Sequence, residues 1–183
     1  MTARRRQASW EGLPSIEGHV VKLQLSDEAV IRYRWRCTCG KAGEPEIRIG
    51  TAREGAIAHV AAKKRAVQAA AGSAIVVHVV RDADEIRSAA AAGRYVYVGR
   101  PSRWGNPFTY KTGTRAEVVV PVAEVLPRYE AWLRDQPELM AAIGELRGKV
   151  LGCWCAPSPC HGDVLARIAD EQNAEASAGS ARP

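Results

Sequence analysis

Lys149-Val150-Leu151-Gly152-Cys153-Trp154-Cys155-Ala156-Pro157-Ser158-Pro159-Cys160-His161-Gly162-Asp163 reads as a strand, a sharp proline-rich turn and the start of a helix. Alternate side chains of a strand share a face, so Cys153 and Cys155 point one way and Trp154 points the other, into packing. The turn then returns Cys160 and His161 toward the first two sulfurs. Outward from this stretch, Asp163 to Asp170 continues as a final helix, and upstream Pro137 opens a helix that runs through Leu146 and ends at Gly148. Leu126 to Arg134 sets Tyr129, Trp132 and Leu133 at helical spacing, while Val118 to Val125 fits strand or helix. Ile75 to Val80 is a nearly continuous β-branched run, as in a strand buried on both faces. Asp84 to Ala92 is a short helix or turn ended by Gly93, and Tyr95 to Val98 is a second strand. Residues 74–170 therefore predict an α/β domain, a small three-layer, Rossmann-like parallel sheet.

Gly99-Arg100-Pro101-Ser102-Arg103-Trp104-Gly105-Asn106-Pro107-Phe108 leaves that second strand with two arginines, a serine, an asparagine and two aromatic rings. Loops so dense in donors are seldom mere connectors. Gly99 and Gly105 permit close backbone approach, Arg100 or Arg103 can clamp a phosphate or carboxylate, and Trp104 or Phe108 can stack on a base. The bland alternative is a rigid Ω-loop whose rings plug the core and whose arginines are solvated. If strands Tyr95–Val98 and Lys149–Trp154 run parallel, both following loops emerge at one carboxyl edge. Arg100, Ser102, Asn106, Cys160, His161 and Asp163 then share a crevice.

Three chemistries fit the cysteine stretch. Cys153, Cys155, Cys160 and His161 can complete a tetrahedral zinc shell, though C-x-C-x4-C-H is tighter than the usual finger spacings. Cys160 and His161 also stand at a helix N-terminus, which favours anions and lowers a thiol pKa, so they can act as nucleophile or general acid/base. Or the cysteines are small buried hydrophobes and His161 a cap. No motif fixes a bond that is broken, so whether the chain is an enzyme stays open.

The pair VYVGRPSRWGNPF and LRGKVLGCWCAPSPCHGDVLARI resembles the domain of unknown function family four-three-two-six, found in bacteria and many phages. The resemblance covers about residues 74–170 and implies placement, not mechanism.

Ahead of this domain, His19 to Leu25 and Val30 to Arg36 alternate apolar and polar residues around Ser26, Asp27 and Glu28, the pattern of a β-hairpin. It runs into Cys37-Thr38-Cys39-Gly40. A turn with Gly43 and Pro45, a brief strand Glu46 to Ile49 and a helix capped by Thr51 follow, with Ala56, Ile57, Val60, Ala61 and Val67 at helical spacing. Cys37, Cys39 and His59 resemble a zinc-ribbon or finger-like unit lacking a fourth ligand, since position 63 is lysine; His19 or a distant cysteine would have to supply it. Arg32, Arg34 and Arg36 beside Lys63, Lys64 and Arg65, interleaved with Tyr33 and Trp35, suit a phosphate backbone.

The chain has 183 residues, 46% hydrophobic and 25% charged, enough for one core and an appendage. We read a basic disordered tail over 1–15, a hairpin and helix module over 16–72 with a junction near Gly72, the α/β domain, and a disordered tail over 171–183. No apolar run approaches the roughly 20 residues that cross a bilayer, which points to the cytoplasm and to no membrane partner. Five cysteines in C-x-C and Cys-His groupings suit metal or thiol chemistry in a reducing compartment. The net charge of +6 favours polyanionic partners. The leading expectation is a crevice that binds a nucleotide or nucleoside-like group, free or in nucleic acid. The alternatives are a non-catalytic zinc-stabilised DNA- or RNA-binding module and a phage-type inhibitor acting by protein contact. Oligomeric state is beyond the sequence.

Overall fold

The structure, a computed structural model, describes residues 13, 15, 18–25, 32–113 and 116–180. The turn at Ser26–Glu28, nearly all of the amino-terminal stretch assigned to a tail and residues 181–183 lie outside these residues. The chain forms two compact units, residues 1–64 and 65–183.

In the first unit β1 (Val21–Leu25) pairs antiparallel with β2 (Tyr33–Cys37), Val21 opposite Cys37 and Leu23 opposite Trp35. One face of this hairpin, with Val21, Cys37 and Trp35, packs against Ala56 and Val60 of α1 (Ile49–Ala70). The expected strand Glu46–Ile49 reduces to one bridge between Glu46 and Tyr33. Helical spacing of Ala52, Ala56 and Val60, all buried, draws Ile49 into the helix, so Thr51 is a first-turn residue and not its cap. Val67, counted on the apolar face, is 64% exposed. The units divide inside α1, after Lys64 and ahead of Gly72. Arg65 faces Asp82 and Glu85, both at 3.7 Å, and so keeps company with the second unit.

The second unit is a small α/β domain. Its parallel sheet has the order β3 (Ile75–His78), β7 (Val150–Cys153), β4 (Tyr95–Tyr97). Period-two alternation divides the strand residues between two layers. Val76 and Leu151 join Leu165, Ile168 and Ala169 of α5 (His161–Ser180) and Tyr129 and Leu133 of α3 (Val125–Arg134) in the main core. Val77, Val150 and Tyr95 pack with Ile86 and Ala89 of α2 (Ala83–Ala91) on the opposite side. Each fully buried Leu or Ile contributes about 1.5–3 kcal/mol. Between β4 and β7 the chain makes a short parallel pair, β5 (Phe108–Thr109) with β6 (Val118–Val119), then a 3-10 turn Val122–Glu124 before α3. The predicted helix Pro137–Leu146 divides into α4 (Pro137–Ala142) and a 3-10 turn Ile143–Leu146.

Two ends differ from the sequence reading. β3 stops at His78 rather than Val80: Val79 N makes one more sheet bond, to Cys153 O (3.1 Å), and the chain then turns, with side chains capturing the neighbouring amides. Asp82 Oδ2 accepts from His78 N (2.8 Å), and His78 Nδ1 accepts from Val80 N and Arg81 N (3.1 and 3.2 Å). Helix α5 continues through residues 171–180, placed by composition in a tail. Ala and Glu are strong helix formers, Glu171 pairs with Arg134 and, one turn back, with Arg167, and Gln172 Nε2 donates to Met140 O.

Candidate functional site

β4 and β7 are adjacent and parallel, so the segments that leave them emerge at one edge. The contact is direct: His161 Nε2 donates to Val98 O at 2.8 Å. At this edge Cys153 ends β7, Cys155 and Cys160 lie in the turn, and His161 begins α5. Sγ of Cys153 lies 3.0 Å from that of Cys155 and 2.9 Å from that of Cys160, and the last two are 3.4 Å apart. Nδ1 of His161 stands 3.6–3.8 Å from all three sulfurs. These four groups can hold a metal ion.

The donor set fits a tetrahedral shell. With metal–sulfur bonds of about 2.3 Å and a metal–nitrogen bond of about 2.0 Å, its edges measure roughly 3.5–3.8 Å. The sulfur–nitrogen spacings already match, and the sulfurs need only part by some tenths of an ångström. The surroundings suit anionic sulfur as well. Gly162 N donates to Cys160 Sγ (3.3 Å), Cys155 N to Cys153 Sγ (3.4 Å), and the positive end of α5 faces the group. The Val98 carbonyl holds the Nε2 proton and so turns the Nδ1 lone pair inward, the usual outer partner of a metal-bound histidine. Tyr129 lies edge-on to the imidazole at 5.4 Å between centroids.

The charges answer to this crowding. Hydrogen bonds from Cys153 and Cys160 hold Cys155 far below the usual thiol range, while the same neighbours and burial push Cys160 far up. Burial pulls His161 down, but the Cys153 and Cys155 sulfurs outweigh it and raise the imidazole to about 10. A proton is thus shared among these groups where a cation would replace it.

The loop Gly99–Phe108 largely satisfies itself. The guanidinium of Arg100 donates back to Asn106 O, and Asn106 Oδ1 accepts from Phe108 N (2.8 Å). Trp104 is 2% exposed and Phe108 packs on the core, so neither ring is presented to a base as expected. Arg103 pairs with Glu145 at 2.9 Å, away from the cysteines. Ser102 Oγ is buried without a hydrogen-bond partner. Asp163 Oδ2 accepts from Cys160 N, closing the first turn of α5. Arg100, Ser102 and Asn106 share the edge with Cys160 and His161, but their polar groups face the loop's own backbone or lie buried. A groove of about 520 Å³ between Val96, Trp104, Leu146 and Lys149 contains no cluster residue.

Trp154 departs most from expectation. It is 62% exposed, not packed inside, because it lies beyond the last paired residue of β7, where the alternation of the ladder no longer holds. The sequence reading gave Trp154 only a packing role and His78 and Tyr97 none, yet the three meet at this edge.

In the first unit, His19 supplies the missing fourth group. His19, Cys37, Cys39 and His59 gather within ligating reach of one another and can also hold a metal ion. Cys37 Sγ lies 3.5 Å from His19 Nδ1, and Cys39 Sγ 3.4 Å from His59 Nε2. Desolvation, with the charges of His19, Lys63 and Lys41, lowers the His59 pKa; a hydrogen bond from Lys41 N lowers that of Cys39. Trp35 stacks on His59 at 4.9 Å. The antiparallel register places Lys22, Gln24, Arg34 and Arg36 on the other hairpin face, so the cations do not interleave with Tyr33 and Trp35 as predicted. Among the described residues no helix is long and apolar enough to cross a membrane.

Comparison with known proteins follows the second unit. "Uncharacterized 12.4 kDa protein in nrdA-td intergenic region" of Enterobacteria phage T4 is 33% identical to 40% of this chain, and "Uncharacterized protein R718" of Acanthamoeba polyphaga mimivirus is 32% identical, again with 40% of this chain covered. The chain spans 65% of the length of each relative. No solved structure matches it. Residues 82–171 match the family model described as Domain of unknown function (DUF4326).

Proposed function

We propose that this protein is a non-catalytic, zinc-stabilised nucleic-acid-binding protein, with one zinc ion in each Cys/His cluster. The observation that carries the reading is the completeness of the second cluster: four protein donors converge, with Cys153 and Cys160 1% exposed, His161 6% exposed and only Cys155 on the solvent side. A nucleophilic thiol or a catalytic metal needs an open position, whereas a structural zinc needs four protein ligands and none to spare. Sulfur-rich donors with nitrogen in a tetrahedral arrangement select zinc over hard cations. The basic hairpin face of Lys22, Arg34 and Arg36 and the net charge of +6 support a polyanionic partner.

Elemental analysis of the purified chain tests the metal, with thiol alkylation before and after chelation. Two zinc ions per chain, and a melting temperature that falls on chelation and returns with zinc, are the expected results. Metal-free protein whose Cys160 alkylates ahead of the exposed Cys39 and Cys155 would overturn the reading in favour of a reactive thiol.

A further inference from the structure

The three strands of the parallel sheet each deliver one ring to its carboxyl edge. His78 ends β3, Tyr97 ends β4, and Trp154 directly follows β7 between them. Trp154 Nε1 donates to Tyr97 Oη (3.1 Å), and Tyr97 Oη donates on to Arg100 O (3.0 Å). On the other side His78 meets the indole edge-on, 5.9 Å between centroids, its own Nδ1 occupied by the Val80 and Arg81 amides. The indole is therefore fixed on both flanks and yet 62% exposed. Its one polar group is already engaged, so what it offers a ligand is the π face.

We propose that the Trp154 face is a stacking platform for an unpaired nucleobase in single-stranded nucleic acid, an inference that rests on the nucleic-acid reading above. A planar π surface selects a planar ring, and base–aromatic stacking tolerates any sequence because every base has such a face. Carboxyl edges of parallel sheets are where ligands gather. Arg81 lies exposed on the connection after His78, three residues from the ring that flanks the indole, while the Arg100 guanidinium stays with Asn106 O. Asp82, on the same connection, accepts from His78 N and faces Arg65. Bases inside a duplex are covered by their neighbours, which makes the platform selective for single strands. The zinc ligands Cys153 and Cys155 bracket Trp154 and hold its backbone in place.

The test uses the full zinc-loaded chain with three probes: a short single-stranded DNA, the duplex of the same sequence, and a nucleoside monophosphate. The single strand should quench tryptophan fluorescence, and Trp154→Ala should weaken its binding about 5- to 100-fold while duplex binding stays unchanged. Trp154→Phe should retain most of the affinity, and equal zinc content in both variants shows that the fold is kept. Quenching by the monophosphate as well would support the same platform and show that a free nucleotide suffices. Equal single-strand affinity in Trp154→Ala and parent would overturn the platform while leaving nucleic-acid binding intact. No binding to any probe at low salt would overturn both.

Discussion

Tyr129→Phe removes one oxygen atom from the centre of the second unit. Tyr129 is fully buried, and its hydroxyl donates to Trp104 O at 2.7 Å, tying α3 to the loop Gly99–Phe108. Burial pushes the phenol pKa far up, so the hydroxyl remains a donor at any working pH. The variant leaves the Trp104 carbonyl buried without this donor, at about 1–3 kcal/mol. For a cooperative unit spanning residues 65–183, each kcal/mol lowers the melting midpoint by roughly 3–5 °C, so a fall of roughly 6–10 °C is expected for a central loss of about 2 kcal/mol. The ring itself survives, so its edge-on contact with His161 persists and metal content should equal that of the parent. Urea titration followed by circular dichroism reads the change as a lower midpoint at unchanged slope. A loss under about 0.5 kcal/mol would refute the claim that this hydrogen bond anchors the loop.

In the first unit, Gly43→Ala would drive a methyl group into the Trp35 indole, which Gly55 also abuts and which stacks on His59. A cost of about 1–3 kcal/mol and weaker zinc retention at the first cluster are expected, read by competition with a chromophoric chelator; unaltered retention counts against coupling of Trp35 to the site. On the surface, hydrogen bonds from Arg134 and then Arg167 hold the Glu171 carboxyl below its ordinary value of 4.5. A depressed carboxyl stabilises the fold above its unfolded pKa and ceases to do so as pH falls through the folded one. These side chains are 40–48% exposed, so Glu171→Gln should cost only about 0.2–1 kcal/mol at pH 7. The gap between the denaturation curves of parent and variant should narrow as pH falls below 4.5, and a gap that stays constant contradicts the assignment.

Much of the site was legible because strand periodicity is local. The β-branched run Ile75–Val80 and the stretch Lys149–Trp154 announced buried parallel strands, and from their pairing came the shared edge that brings Val98 to His161. Cys153 and Cys155 do meet as alternation predicts, although Cys155 lies past the last paired residue and is brought there by the turn. The same rule failed at Trp154, since it governs residues inside a ladder and the ladder ends one residue earlier. Trp104 and Phe108 were ambiguous for a different reason: an aromatic ring in a loop serves core or ligand equally well until burial is known. His19 was one of two groups named to complete the first cluster, and only the folded hairpin decides in its favour. That α5 runs past Asp170 depends on Arg134 and Arg167 reaching Glu171, partners that composition alone does not reveal.

The two clusters draw their ligands from very different spans of chain. Only 8 residues separate Cys153 from His161, whereas 18 separate His19 from Cys37 and 20 more lie between Cys39 and His59. A cation can be gripped by the short segment at small entropic cost, before distant strands have met. The first cluster must wait for its hairpin and helix to come together. In a refolding full-length chain supplied with the proposed metal, the second unit would therefore load first, and scarcity of the ion would be felt earliest at the opposite end of the sequence.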